Sequence, residues 1–192
     1  FIPRLYCKST WLDFNIIDAQ IPLNNLNYST GLLEINYLDH KLSDSSNINL
    51  DSIRIINSYE SEIKTIITGN IQLDTLSISD ILINSTLVNN IYKISNSEFK
   101  LIDEIISLNG TFNPLNYKLN LIFDIDNLLL GENSFTSNIN INSKIYSDKI
   151  IGSFSFNNSY INSFLISNID GNFILNDKIL ISDEINISSH NF

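Results

Sequence analysis

Residues 117–126, with the sequence YKLNLIFDID, decide the fold class of this chain. The even positions are polar, with Ile122 as the exception. The odd positions are all apolar, and they are Tyr117, Leu119, Leu121, Phe123 and Ile125. Alternation with a period of two puts successive side chains on opposite faces of a β-strand, whereas an amphipathic helix needs a spacing of three or four. The stretch therefore predicts a strand with one apolar face and one polar face.

The same alternation recurs along the chain, at residues 12–16, 33–37, 53–55, 71–73, 138–142, 154–156 and 185–187. Clusters of turn-forming residues separate these segments, at 24–25, 43–46, 113–114 and 157–159. Short strands joined by such turns predict an all-β, antiparallel meander of many short strands. Residues 59–68 and 87–94 fit a helix as well as a strand, so we expect few helices or none.

A glycine signature punctuates the strands. It consists of an apolar residue, any residue, Gly, then Asn, Ser or Thr, and finally Ile or Phe. It occurs at residues 67–71, 108–112 and 169–173, with a looser copy at 150–154. The steps between these glycines are unequal, so they do not follow one short repeat period. The signature indicates a repetitive β-structure that offers a surface.

The amino-acid composition limits the classes of partner that this surface could bind. The chain has 192 residues with 43% hydrophobic content, which is enough apolar material for a folded core. Its net charge is −10, with 11 basic residues against 21 acidic ones, so it could not neutralise the phosphates of a nucleic acid. The same charge disfavours direct docking on an anionic membrane. The single cysteine, Cys7, excludes an internal disulfide and a multi-thiolate metal site.

No catalytic motif accompanies the strands. The histidines are His40 and His190, and neither lies in a recognisable nucleophile, phosphate-loop or zinc motif. Asp124 and Asp126 could offer oxygen ligands to calcium, but acidic residues on the polar face of a strand are usually solvated. We therefore expect no enzyme, no cofactor and no metal site.

The extent of the chain suggests part of a larger repetitive protein. Residues 1–192 read as a single β-rich segment whose last residues, 184–187, still have the pattern of a strand. No apolar run approaches the roughly 18 residues of a membrane span, so we expect any membrane anchor to lie outside this segment.

The apolar face of the predicted sheet needs either a cover or a ligand. A second sheet would close it as a core, whereas a curled sheet could leave it open as a trough. Acyl chains of phospholipids suit such a trough because they are long, apolar and non-directional. The candidate lipid-binding residues are Ile71, Leu73, Tyr117, Leu119, Leu121, Phe123, Ile125, Ile139, Ile141, Phe154, Phe156, Phe173 and Leu175.

Residues 73–130 resemble the C-terminal region of the AsmA family, which is related to TamB. The similar features are the paired short strands at 73–83, a glycine strand at 105–112, and the long alternating strand from Tyr117 to Leu130. The resemblance implies an elongated, curled sheet with a groove, often described as a β-taco. It also implies a periplasmic protein, anchored in the inner membrane, that moves phospholipid towards the outer membrane or works with outer-membrane assembly proteins.

Two other classes of protein fit the same pattern. A surface adhesin or autotransporter passenger would be a β-solenoid rich in Asn, Ser and Gly, with a filled interior and a fixed rung length. A closed β-sandwich would use the same apolar residues only as core. The arrangement of the strands distinguishes these alternatives from a groove.

Overall fold

The structure, a computed structural model, describes residues 1–20, 30–43, 46–59, 62–74, 76–176, 179–182 and 184–188. The described residues form an all-β chain of 14 strands. The strands are β1 (Ile2–Lys8), β2 (Leu12–Gln20), β3 (Thr30–Ser43), β4 (Ser46–Tyr59), β5 (Ile63–Leu73), β6 (Leu76–Val88), β7 (Ile91–Leu101), β8 (Glu104–Asn113), β9 (Lys118–Leu130), β10 (Asn133–Ile145), β11 (Lys149–Ile161), β12 (Phe164–Asn176), β13 (Ile179–Ile181) and β14 (Ile185–Ser188).

All of these strands belong to one antiparallel sheet. They follow one another in chain order from β1 to β13, and β14 pairs with β12 beside β13. The sheet is not closed. Strand β1 lies at one end, and β13 and β14, which both pair with β12, lie at the other. The prediction of an all-β, elongated antiparallel sheet is therefore confirmed.

Neither of the two segments that also fitted a helix is helical in its described residues. Ile63 begins β5, and residues 87–94 contain the end of β6, a turn at Asn89 and Asn90, and the start of β7. Both turn residues have positive φ, at 52° and 63°. Asn tolerates this conformation, and it lets a two-residue turn join twisted strands. None of the described segments is a helix that could span a membrane.

One predicted turn is wrong. Residues 157–159 lie inside β11 rather than between strands. Asn158 has φ 51°, and the β10–β11 register shifts opposite it, which is the geometry of a β-bulge. The turn at 113–114 is confirmed, whereas residues 24–25 and 44–45 lie outside the described part. Because some turn-forming residues serve as bulges, β3 to β12 reach 10 to 14 residues each.

Register sorts the side chains onto two faces. Leu108 is opposite Phe123, Phe123 is opposite Ile139, Ile139 is opposite Phe156, and Phe156 is opposite Ile169. Residues that face each other in a ladder share one side of the sheet, so apolar side chains continue across β8 to β12. We call this side the inner face and the opposite, polar side the outer face.

The inner face is concave. Ile63 and Ile106 are only 2% exposed, although no second layer covers them within the described residues. A flat, single-layer sheet would leave such side chains in water, so the sheet curls until neighbouring rows shield one another. The tightest cluster consists of Ile106, Ile125 and Leu128, with Phe99 and Phe123 packed against it.

Candidate functional site

The structure gathers most of the predicted lipid-binding residues on the inner face. Residues from β9, β10, β11 and β12 form adjoining rows there. One row contains Leu121, Ile141 and Phe154, and the next contains Phe123, Ile139 and Phe156. Leu119, Ile125, Phe173 and Leu175 extend these rows. Ile71 and Leu73 lie on the same face but in β5, four strands away from β9.

Tyr117 is an exception. It belongs to the turn before β9, has φ 55° and is 57% exposed. Its carbonyl oxygen accepts a hydrogen bond from the Ile145 amide at 3.0 Å, so its backbone extends the β9–β10 hydrogen-bond ladder by one residue. The predicted alternation is therefore correct from Leu119 onwards. The prediction that Tyr117 belongs to the same apolar row is wrong, because Tyr117 lies in the turn before the strand.

The inner face of β10 to β14 forms an apolar concavity of about 480 Å³. Its lining includes the predicted residues Ile139, Ile141, Phe154, Phe156 and Phe173. Among the described lining residues, Ser182 is the polar one, and its hydroxyl already donates to the Asn172 carbonyl at 2.7 Å. The concavity thus presents hydrocarbon and aromatic carbon to any occupant.

Three further lining residues, Ile169, Leu180 and Ile185, were not among the predicted site residues. Ile169 is the first, apolar residue of the glycine signature at 169–173, and this position in the signature could have identified it as a lining residue. Leu180 and Ile185 belong to the short strands β13 and β14, where alternation is too brief to fix a face. Their exposed fractions are 66% and 56%, so the wall they form remains open to a ligand.

Aromatic pairs stiffen the wall of the concavity. The rings of Phe154 and Phe156 are 5.6 Å apart with an interplanar angle of 85°, and Phe135 meets Phe156 at 6.3 Å. Edge-to-face packing of this kind contributes about 0.5–1.5 kcal/mol beyond the burial of area. The wall is thus held in one geometry by its own side chains.

The glycine signature provides room for these aromatic side chains. A Cβ added to Gly152 would lie 2.7 Å from Cζ of Phe173, and one added to Gly171 would lie 2.8 Å from Cζ of Phe154. Each glycine is opposite that phenylalanine in the β11–β12 ladder. A strand glycine often marks a close approach of this kind. At Gly152 and Gly171, the signature therefore leaves room for the ring of the phenylalanine on the neighbouring strand.

Hydroxyl groups interrupt the apolar rows at a few buried points. Ser137 in β10 and Ser159 in β11 are 3% and 0% exposed, and their Oγ atoms are 2.8 Å apart. One hydroxyl donates to the other, which offsets part of the cost of burying the pair. These groups are shielded from the concavity and do not offer it a polar contact.

The outer face carries polar ladders and ion pairs. Asn138 donates to Asp124 across the β9–β10 ladder, and Lys100 Nζ lies 2.7 Å from Asp80 Oδ2. The hydrogen bond and charge of Asp80 raise the pKa of Lys100 above its ordinary value. Among the described residues, no group of three His, Cys, Asp or Glu side chains is arranged to hold a metal ion. His190 lies outside the described part.

The strand arrangement differs from that of a β-solenoid and from that of a closed β-sandwich. A β-solenoid stacks parallel strands in successive rungs, whereas each described pairing here is antiparallel and joins β1 to β13 in chain order. A sandwich needs a second sheet over the apolar face, and the described strands form one sheet.

Comparison of the chain with models of known protein families, with curated proteins and with solved structures finds no match.

Proposed function

We propose that this chain is a non-enzymatic lipid-groove protein of the AsmA/TamB type, which holds phospholipid acyl chains on its inner face. In this proposal it supports phospholipid transport to the outer membrane, or assembly of that membrane, from a periplasmic position. The observation that carries the proposal is the apolar concavity of about 480 Å³ on a sheet that no second layer of described residues covers.

The dimensions of the sheet suit an extended path for lipid. Neighbouring strands are about 4.8 Å apart, so the order β1 to β13 gives an inner face about 60 Å long. An acyl chain fills half of a bilayer core of about 30 Å, and is therefore about 15 Å long. Several lipids could occupy the face in succession, each in contact with a few strands.

The chemistry of the lining suits movement as well as binding. Burial of each methylene group contributes about 0.8 kcal/mol, independent of direction. Among the described residues that line the concavity, none carries a charge or a free hydrogen-bonding group that would fix a lipid at one register. A chain that slides from one strand to the next exchanges equivalent contacts, so the barrier to sliding is small.

Lipid extraction and native mass spectrometry of the purified chain test this proposal. We expect co-purifying phospholipid in the original protein and in the control Asn140→Asp, whose side chain lies on the outer face. We expect the lipid to be lost in Ile141→Asp, which places the same charge on the inner face at the next residue. Ile141→Trp gives a second variant that fills the concavity without adding charge, and it should also exclude lipid.

Circular dichroism separates loss of lipid from loss of fold. The proposal requires a β-rich spectrum in at least one of the two Ile141 variants together with the loss of lipid. A well-folded original protein that never carries lipid, even after incubation with phospholipid vesicles, would refute it.

A further inference from the structure

A second concavity, of about 620 Å³, lies on the outer face of β7 to β12, where Ile91, Leu119 and Ile151 line it together with polar side chains. Register builds it from two adjoining rows. Lys118 and Lys144 are directly opposite each other in the first row, and Asn120 and Asn142 are opposite each other in the second. Ser153 continues the second row in β11. Strands β10 to β12 thus line the apolar concavity on one side of the sheet and this outer-face concavity on the other.

The two lysines form an unusual pair. Like charges directly opposite in an antiparallel ladder repel each other and destabilise the pairing. Neither ammonium group forms an ion pair with a carboxylate of the described residues. This pair occurs in a chain of net charge −10, where acidic partners are abundant. A bound anion would relieve the repulsion.

The surroundings supply further donors and partial preorganisation. Lys144 Nζ lies 4.9 Å from the centre of the Tyr146 ring, a cation–π contact that restrains the lysine without neutralising it. The amide groups of Asn120 and Asn142 and the hydroxyl of Ser153 also line the concavity. Two cations with neutral donors beside them match an anion that has several oxygens and two negative charges.

We propose that this outer-face concavity binds a phosphate group between Lys118 and Lys144. The proposal does not rest on the lipid groove, because the two concavities occupy opposite faces of the sheet. The phosphate could belong to a soluble phosphate ester or to the headgroup of a lipid, and both present the same terminal oxygens. A carboxylate has two oxygens and one charge, so it should bind more weakly.

Isothermal titration with inorganic phosphate, at constant ionic strength, tests the site. We expect Lys118→Gln and Lys144→Gln each to weaken phosphate binding about tenfold, since each removes a charge-assisted hydrogen bond. Lys149→Gln is the matched control, because Lys149 lies in the neighbouring strand β11 but does not line the concavity. It should change the affinity by less than about twofold. Titration with acetate should give a weaker affinity than phosphate.

A flotation assay identifies the source of the phosphate. Phosphatidylcholine vesicles with and without phosphatidic acid present the phosphate as a headgroup. Flotation that depends on phosphatidic acid, Lys118 and Lys144 would indicate a lipid, and phosphate binding without flotation would indicate a soluble ester. Equal weakening by Lys149→Gln would show only diffuse attraction and overturn the proposal, as would the absence of binding to both probes.

Discussion

At the scale of single residues, the paired hydroxyls of Ser137 and Ser159 are the most sensitive point of the inner face. The change Ser159→Ala would leave the buried Ser137 hydroxyl without its partner at 2.8 Å. A buried, unsatisfied polar group costs about 1–3 kcal/mol, and we expect the free energy of unfolding to fall by that amount. Chemical denaturation of the variant, followed by circular dichroism, measures the loss.

The double variant Ser137→Ala/Ser159→Ala provides the internal control. Removal of both hydroxyls leaves no orphaned group, so its loss of stability should be smaller than the sum of the two single losses. Strictly additive losses would mean that the two hydroxyls do not depend on each other.

At the scale of the strands, the glycines decide how closely β11 and β12 pack. Gly152→Ala would drive a new methyl group into the Phe173 ring and the backbone of β10. We expect the variant to lose about 1–3 kcal/mol of unfolding free energy in urea denaturation, as overpacked positions do. The control is Gly131→Asn, because Gly131 has φ 66°, has open space around it, and occupies a turn where Asn is tolerated.

A stable Gly152→Ala variant, with a cost no larger than that of Gly131→Asn, would contradict this account of the signature. It would show that Phe173 can move aside without loss, and that the ring does not need a glycine opposite it.

Sequence reasoning identified these strands and their faces because alternation is a local property. The apolar face of β9 follows directly from Leu119, Leu121 and Phe123, and tertiary contacts did not alter it. Bulges were not predictable, since Asn158 has the same residue type whether it turns the chain or only kinks a strand. The contact between Gly152 and Phe173 was not predictable for a related reason. The β11–β12 register, rather than distance along the sequence, places the two residues opposite each other.

The outer-face concavity shows that sequence reasoning has the same limit when it is used to find binding sites. Lys118 and Lys144 are far apart in sequence, and each alone is an ordinary exposed charge on a polar face. Only the β9–β10 register places them opposite each other. A site made of two residues on neighbouring strands has no signature that a single strand can reveal.

At the scale of the whole molecule, the ends of the sheet should govern association. Leu5 in β1 and Ile187 in β14 are 47% and 68% exposed, on strands that have one edge unpaired by any other described strand. Free edges pair with other strands, and a lysine on an edge discourages such pairing. We expect Leu5→Lys together with Ile187→Lys to reduce concentration-dependent self-association, as measured by light scattering.

Leu115→Lys is the control for the edge variant. Leu115 is 69% exposed but lies in the turn between β8 and β9, away from both edges. The same exchange of leucine for lysine should leave association unchanged there. Equal reductions at the turn and at the edges would indicate that exposed apolar area, rather than edge pairing, drives association.

The chain-order pairing of the strands also has a consequence for how the molecule forms. From β1 to β13 each strand hydrogen-bonds to the strand synthesised just before it, so no stretch must wait for a distant partner. Contacts that are local in sequence close short loops and favour rapid folding. The growing chain can therefore add one hairpin after another as it is made, and its length can change by whole hairpins without disturbing those already formed.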